Sequence, residues 1–162
     1  MTGKRVFIAI GSNQGDREEN CLRAARLLGS SGKAEVICQS PLYETEPWGV
    51  KEQTPFVNSA IEIRTELAPI ALLGLLKSIE LDMGRKASPR WSERVIDLDI
   101  LFFGDEVVRE KGLDVPHPRL CERAFVLVPL SDIAPEFVHP VLGKSVREML
   151  AGLKDAGWVR RV

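Results

Sequence analysis

Apolar residues recur along this chain with two different periods, and the order in which the periods alternate predicts an architecture. Val6-Phe7-Ile8-Ala9-Ile10 is a short apolar run ending at Gly11-Ser12-Asn13-Gln14-Gly15, which reads as a buried strand leaving into a turn. Asp16, with Glu19 three residues on, has the spacing of a capping box; it opens a helix that carries Leu22, Ala25 and Leu28 and ends at Gly29. Val36 to Tyr43 and Phe56 to Arg64 read as two further strands, the second alternating through Val57, Ser59, Ile61 and Ile63. Pro69 starts a second helix with Ile70, Leu73, Leu76, Ile79 and Met83 on one face, and Gly84 stops it. After a polar loop the chain returns to strand character, and Phe125 to Leu130 and Ser145 to Leu153 give two short helices separated by Pro135 and Pro140. The order β-α-β-β-α-β plus a helical tail is the ferredoxin-like pattern of an α+β fold. Its antiparallel sheet carries helices on one face and leaves the other open for a ligand or for mobile substrate loops. A length of 162 residues suits one domain, residues 1–162, with a single core.

The run Arg94-Val95-Ile96-Asp97-Leu98-Asp99-Ile100-Leu101-Phe102-Phe103-Gly104 breaks its own pattern by setting two carboxylates into an apolar strand. Strand side chains alternate, so Asp97 and Asp99 project to one side with Cα atoms ~6.5 Å apart, and Ile96, Leu98, Ile100 and Phe102 project to the other. An isolated buried carboxylate is costly, so the pair faces water, meets cations or holds a metal ion. Taken alone, the Asp-x-Asp favours a structural ion pair, with Arg94 or Arg85 as partner, over a metal site.

Composition narrows the choice. The 22 Lys+Arg against 23 Asp+Glu leave a net charge of −1, which argues against a nucleic-acid or membrane-surface protein and makes any basic site local. No apolar run approaches the roughly 20 residues of a membrane span, and the N-terminal segment reads as a strand, not a signal peptide; the expectation is a soluble, cytoplasmic protein. Cys21, Cys38 and Cys121 are odd in number, far apart and outside any CxxC, so they read as packing residues. With His117 and His139 the chain's two histidines, a soft-metal site is short of ligands, and a hard cation held by oxygen, Mg²⁺ first, is what the composition permits.

The aspartate strand is flanked by cations. Before it lies a loop with Arg85, Lys86, Arg90 and Arg94; after it come Val115-Pro116-His117-Pro118-Arg119, Arg123 and Phe125. Carboxylates that hold Mg²⁺, together with guanidinium groups that grip phosphate oxygens, serve phosphoryl-type transfer on a polyphosphate. A P-loop is absent: Gly143-Lys144-Ser145 imitates its end, but Val138 stands where its first glycine is required, and no GxGxxG occurs. Phosphate is therefore expected to be held by side chains and metal. The segment Glu44 to Pro55, with two prolines and a glycine, is long for a hairpin connection and is a candidate binding loop.

Ile8-Ala9-Ile10-Gly11-Ser12-Asn13, Tyr43-Glu44-Thr45, Phe56-Val57-Asn58, Gly84-Arg85, Arg90-Trp91, the Arg94 to Leu101 run, Val115-Pro116-His117-Pro118-Arg119 and Arg123-Ala124-Phe125-Val126-Leu127 carry a family resemblance. Over roughly residues 5 to 150 the chain resembles the 6-hydroxymethyl-7,8-dihydropterin pyrophosphokinases of folate biosynthesis. The Arg-x-x-Asp-Leu-Asp-Ile-Leu and Pro-His-Pro-Arg signatures are its most specific parts. The resemblance implies a Mg²⁺-dependent transfer of the terminal diphosphate of ATP to the hydroxymethyl oxygen of the pterin, with release of AMP. It implies two Mg²⁺ ions held by Asp97 and Asp99, with Arg85 and Arg94 as catalytic arginines. ATP contacts fall to Glu80, Lys86, Trp91, Arg94, Ile100, His117, Arg119 and Arg123. Pterin contacts fall to Thr45, Glu46, Trp48, Phe56, Asn58, Trp91, Asp97 and Phe125, with Phe56 and Phe125 as a sandwich and Asn58 reading the edge of the ring. No residue of this set is an obvious general base. ATP and the pterin are the implied partners, with no nucleic acid, no membrane, and a monomeric protein. The rival reading from another class is a non-catalytic ferredoxin-like ligand-binding or regulatory module. The acidic pair with several arginines separates the two, because a sensor of a neutral ligand needs neither Mg²⁺ nor phosphate grips.

Overall fold

A computed structural model of the chain describes residues 2–46, 54–84, 95–154 and 157–162. In chain order the elements are β1 (Lys4–Ser12), α1 (Arg17–Ser30), β2 (Ala34–Gln39), β3 (Tyr43–Thr45), β4 (Phe56–Thr65), α2 (Pro69–Asp82), β5 (Asp97–Phe103), β6 (Val108–Glu110), β7 (Leu113–Val115), α3 (Ala124–Ile133), α4 (Val146–Ala151) and β8 (Val159–Arg161). The main sheet runs β5-β1-β4-β3-β8, with β2 pairing farther along β4, and its pairings are antiparallel. This is the expected α+β, ferredoxin-like order, with β2 and β3 sharing the place of one predicted strand. That strand is interrupted at Ser40-Pro41-Leu42, because Pro41 has no N–H to give the ladder. Ser40 partly replaces it: its N–H donates to the Ala60 carbonyl (2.8 Å) and its Oγ accepts from the Ala60 N–H (2.9 Å).

Asp16 caps α1 as expected, its carboxylate accepting the Glu19 N–H, while the Glu19 side chain pairs with Arg26. The buried stripe of α1 is Cys21, Ala24, Ala25 and Leu28, and Leu22, expected inside, is 39% exposed. In α2 the buried face is Leu72, Leu76, Ile79, Glu80 and Met83; Ile70 is exposed and Leu73 half-buried. Leu76, Ile79 and Met83 of the expected face are buried, Leu72 is buried where Ile70 and Leu73 were expected, and Glu80 joins the stripe. Glu80 lies on the buried stripe, where its carboxylate accepts the Leu98 N–H (2.8 Å) and pairs with Lys77 (3.4 Å), and a hydrophobicity pattern places no carboxylate inside.

Helices α1 and α2 pack on one face of the sheet, over Val6, Ile8, Ile10, Ile61, Ile63, Leu98 and Ile100. The opposite face is not left open throughout: α3 and α4 cover Phe7, Ala60, Leu101 and Phe102 with Val126, Leu127, Leu130, Val146 and Met149. Strand β4, central and covered on both sides, is therefore buried almost continuously instead of alternating between core and solvent.

Phe102 was expected beside Ile100 on the first face, and the structure corrects this. Phe7 pairs with Phe102 and Ile8 with Ile100, so Leu101 is an extra residue on β5, a β-bulge that puts Phe102 beside Leu101 on the second face. The bulged residue's carbonyl accepts the His117 N–H (3.1 Å). His117 is brought there by the β6–β7 hairpin, which sequence pattern did not reveal, followed by the cis Val115–Pro116 bond. Cys21 is fully buried and Cys38 and Cys121 half-buried, all three with free thiols. Among the described residues no helix is long and apolar enough to cross a membrane.

Candidate active site

The sheet register builds the floor of the site. Asp97 pairs with Gly11 and Asp99 with Ala9 across β5 and β1; Gly11 pairs with Asn58 and Ala9 with Ala60 across β1 and β4. Directly opposed residues point to the same face, so the two carboxylates, the two small residues and Asn58 share one surface at the end of the sheet. With strands about 4.8 Å apart, the backbones of Asp97 and Asn58 stand roughly 10 Å apart across a floor of Gly11 and Ala9. Phe56, two residues before Asn58, lies on that same face of β4.

Asn58 is held from behind. It is 7% exposed, and its Nδ2 donates to the Oγ1 of fully buried Thr45 (2.6 Å) on β3. A Cβ added at Gly11 would come within 2.7 Å of the Asn58 Oδ1 and 3.5 Å of the Phe56 ring. Sequence reading took Gly11 as the start of a turn, but it is a strand residue. A glycine inside a strand is the signal for close approach of another group, and that signal was available.

Three groups expected at the site, Glu80, His117 and Arg123, lie within electrostatic reach of the aspartates. Asp99 is half-buried, and its carboxyl is pushed up to about 7 by burial and then by the negative charges of Asp97 and Glu80, with Lys77 and Arg123 pulling it back. His117 is pushed down to about 4, first by burial and then by the Arg123 guanidinium, against the pull of Asp97. Its Nδ1 accepts the Arg119 N–H (3.2 Å), so the neutral ring carries its proton on Nε2 and offers it as a donor. Arg123, the residue before α3, stacks its guanidinium 5.5 Å from the centre of the Phe125 ring.

Other expected site residues sit differently. The Arg119 side chain reaches Glu122 (3.2 Å). Ile100 turns its side chain into the first core, opposite the aspartates. Glu46 lies at the β3–β8 edge, its N–H donating to the Trp158 carbonyl (3.2 Å) and its carboxylate against Gly157. Trp48, Arg85, Lys86, Trp91 and Arg94 fall outside the described residues.

Two adjacent carboxylates whose mutual repulsion and burial hold a proton at near-neutral pH are a site with surplus negative charge, and a divalent cation is what such a surplus fits. Among the described residues no group of three His, Cys, Asp or Glu side chains converges.

Residues 7–135 match the family model for 7,8-dihydro-6-hydroxymethylpterin-pyrophosphokinase. The chain is 42% identical over 153 residues to the 2-amino-4-hydroxy-6-hydroxymethyldihydropteridine pyrophosphokinase of Methylorubrum extorquens, covering 94% of this chain and 96% of that one. It is 39% identical over 157 residues to the folic acid synthesis protein FOL1 of Dictyostelium discoideum, of which it spans 24% while 97% of this chain is covered. Among solved structures, a Plasmodium falciparum HPPK-DHPS crystal structure superposes with a TM-score of 0.76 at 18% identity, over 91% of this chain and 45% of that one, which is agreement in fold. The chain belongs to the 7,8-dihydro-6-hydroxymethylpterin-pyrophosphokinase family.

Proposed function

We propose that this protein transfers the β,γ-diphosphate of ATP to the hydroxymethyl oxygen of 6-hydroxymethyl-7,8-dihydropterin, forming the pterin diphosphate and AMP. The observation that carries the reading is the shared face of Asp97, Gly11 and Asn58, which sets a cation-demanding carboxylate pair beside an anchored amide across a flat floor. The relatives' names support the reaction, and the floor supports setting its cation half beside its pterin half.

Asp97 and Asp99 would hold the Mg²⁺ ions, which when bound neutralise and align phosphate oxygens. The chain's other groups bind and orient. His117 Nε2–H and the Arg123 guanidinium donate to triphosphate oxygens, and His117 does so without adding charge because burial keeps it neutral. Asn58, fixed by Thr45, reads the amide-like edge of the pterin, and Phe56 and Phe125 supply aromatic faces. Arg85 and Arg94 are assigned to the migrating diphosphate, with Lys86 and Trp91 beside them and Glu46 and Trp48 on the pterin side, by correspondence with the family.

Incubation with ATP, Mg²⁺ and the hydroxymethyl pterin is expected to release AMP in step with pterin diphosphate, and to release neither when Mg²⁺ is chelated. ADP as product, or full turnover in the chelator, overturns the reading. Gly11→Ala is expected to raise the pterin KM about tenfold, equivalent to about 1.4 kcal/mol, because the new methyl displaces Asn58; the ATP KM should stay within twofold. An unchanged pterin KM would remove Gly11 from the floor.

A further inference from the structure

Outside the residues that face the floor, one side chain ties together the backbone segments that form its pterin side. Arg17, the first residue of α1, donates from Nη1 to the Pro55 carbonyl (2.7 Å) and pairs through Nη2 with Glu44 Oε2 (3.0 Å). Pro55 immediately precedes Phe56, and Glu44 immediately precedes Thr45; Thr45 and Phe56 are themselves partners across β3 and β4. One guanidinium thus fixes, from the helix, the two positions next to a cross-strand pair whose members are a proposed pterin face and the anchor of Asn58. Arg17 and Glu44 are both mostly buried, with side chains 26% and 22% exposed.

The surroundings give Glu44 no other place to go. Its second oxygen accepts from Arg160 of β8 (2.6 Å), so both carboxylate oxygens are engaged. That hydrogen bond first, and Arg17 next, hold Glu44 below the usual carboxylate range, so it is charged throughout the working pH range. Asn13 adds a parallel tie from the β1–α1 turn, its Nδ2 donating to the Thr54 carbonyl (3.3 Å). A guanidinium offers two differently directed N–H groups in one rigid plane, which is what bridging a carbonyl and a carboxylate requires; an ammonium on a flexible stem does not reproduce it.

We propose that Arg17 is a positioning residue for the pterin half of the site, holding Thr45 and Phe56 in register through Glu44 and the Pro55 carbonyl. It touches neither substrate in this account, and the inference rests on the proposed pyrophosphokinase activity. Its effect is expected on one substrate, because the described residues assigned to ATP stand on β5, α2, and the His117 and Arg123 segments, whereas Arg17 ties to Glu44 and Pro55 on the pterin side.

Steady-state kinetics of the full-length protein with each substrate varied in turn test this. Wild-type protein that makes no AMP from ATP and the pterin would overturn the activity itself, and only an active wild type bears on Arg17. In that case Arg17→Ala is expected to raise the pterin KM five- to twentyfold with the ATP KM within twofold, and Arg17→Lys to recover only part of the loss. Glu44→Gln, which keeps the shape of the side chain, should shift the same constant in the same direction and serves if Arg17→Ala does not fold. Equal rises in both KM values in parallel with a lowered melting temperature would show a merely structural tie and overturn the proposal. So would an unchanged pterin KM in folded Arg17→Ala or Glu44→Gln, or full recovery by lysine.

Discussion

Alanine at Asp97 or at Asp99 is expected to cut diphosphate transfer by about a thousandfold, roughly 4 kcal/mol of transition-state stabilisation, while the protein still folds. The two carboxylates are the acidic groups that share the floor, and phosphoryl-type transfer depends almost wholly on positioning and charge neutralisation around the migrating group. Loss of either leaves the phosphates with an incomplete cation site, and among the described residues the nearby carboxylate, Glu80, is committed to the Leu98 N–H and to Lys77. The fold tolerates the change for the same electrostatic reason. Burial and two nearby negative charges already disfavour ionised Asp99, so its removal relieves a cost. Turnover and melting temperature measured on the same samples check both halves. Near-normal AMP formation by both variants would end the metal assignment, and loss of cooperative melting would show that the pair is structural.

Sequence pattern revealed what short-range physics decides. The β-α-β-β-α-β order, the Asp16 cap, the shared face of Asp97 and Asp99, and that of Phe56 and Asn58 all follow from local periodicity, and each is present. What stayed hidden depends on contacts between distant segments. The Leu101 bulge exists because β5 must match β1 at both Asp99–Ala9 and Phe102–Phe7 with one residue too many between, and nothing local in Ile-Leu-Phe-Phe states which residue is extra. The burial of Glu80 in α2 was missed because its partner, the Leu98 N–H, lies 18 residues away. Strand β8 is three residues of mixed character that become a strand by pairing with β3 and by the Arg160–Glu44 contact. Gly11 differs from these: its place in β1 opposite Asp97 follows from extending the first strand by two residues, to Ser12.

In the metal-free protein the Asp99 and His117 contributions to stability are expected to oppose each other between about pH 4 and 6.5, and substitution of either should tilt the profile in opposite directions. Asp99 has its folded pKa raised from 3.8 to about 7, so the folded state holds a proton that the unfolded chain has released. That contribution is fully present below pH 3.8 and is lost as pH rises through about 7. His117 has its folded pKa lowered from 6.5 to about 4, so the unfolded chain binds the extra proton, and stability is gained as pH rises through the same interval. Each shift is several kcal/mol at face value; solvent reaches both half-buried groups, and about 1–2 kcal/mol apiece is the size to expect. The two slopes oppose each other and largely cancel. Asp99→Asn therefore leaves the histidine slope, with stability rising by about 1–2 kcal/mol from pH 4 to 6.5, and His117→Gln leaves the aspartate slope, falling by a similar amount toward pH 7. Urea unfolding in chelator at several pH values reads both, and the difference between each variant and wild type removes the shared contributions of Glu44, Glu148 and His139. Variant and wild-type profiles that run parallel would mean that neither group is coupled to folding. Opposite tilts would show that this one cluster holds a carboxyl tending to stay protonated beside an imidazole that stays neutral. Such a cluster is short of positive charge, and a cation arriving with the triphosphate would supply it.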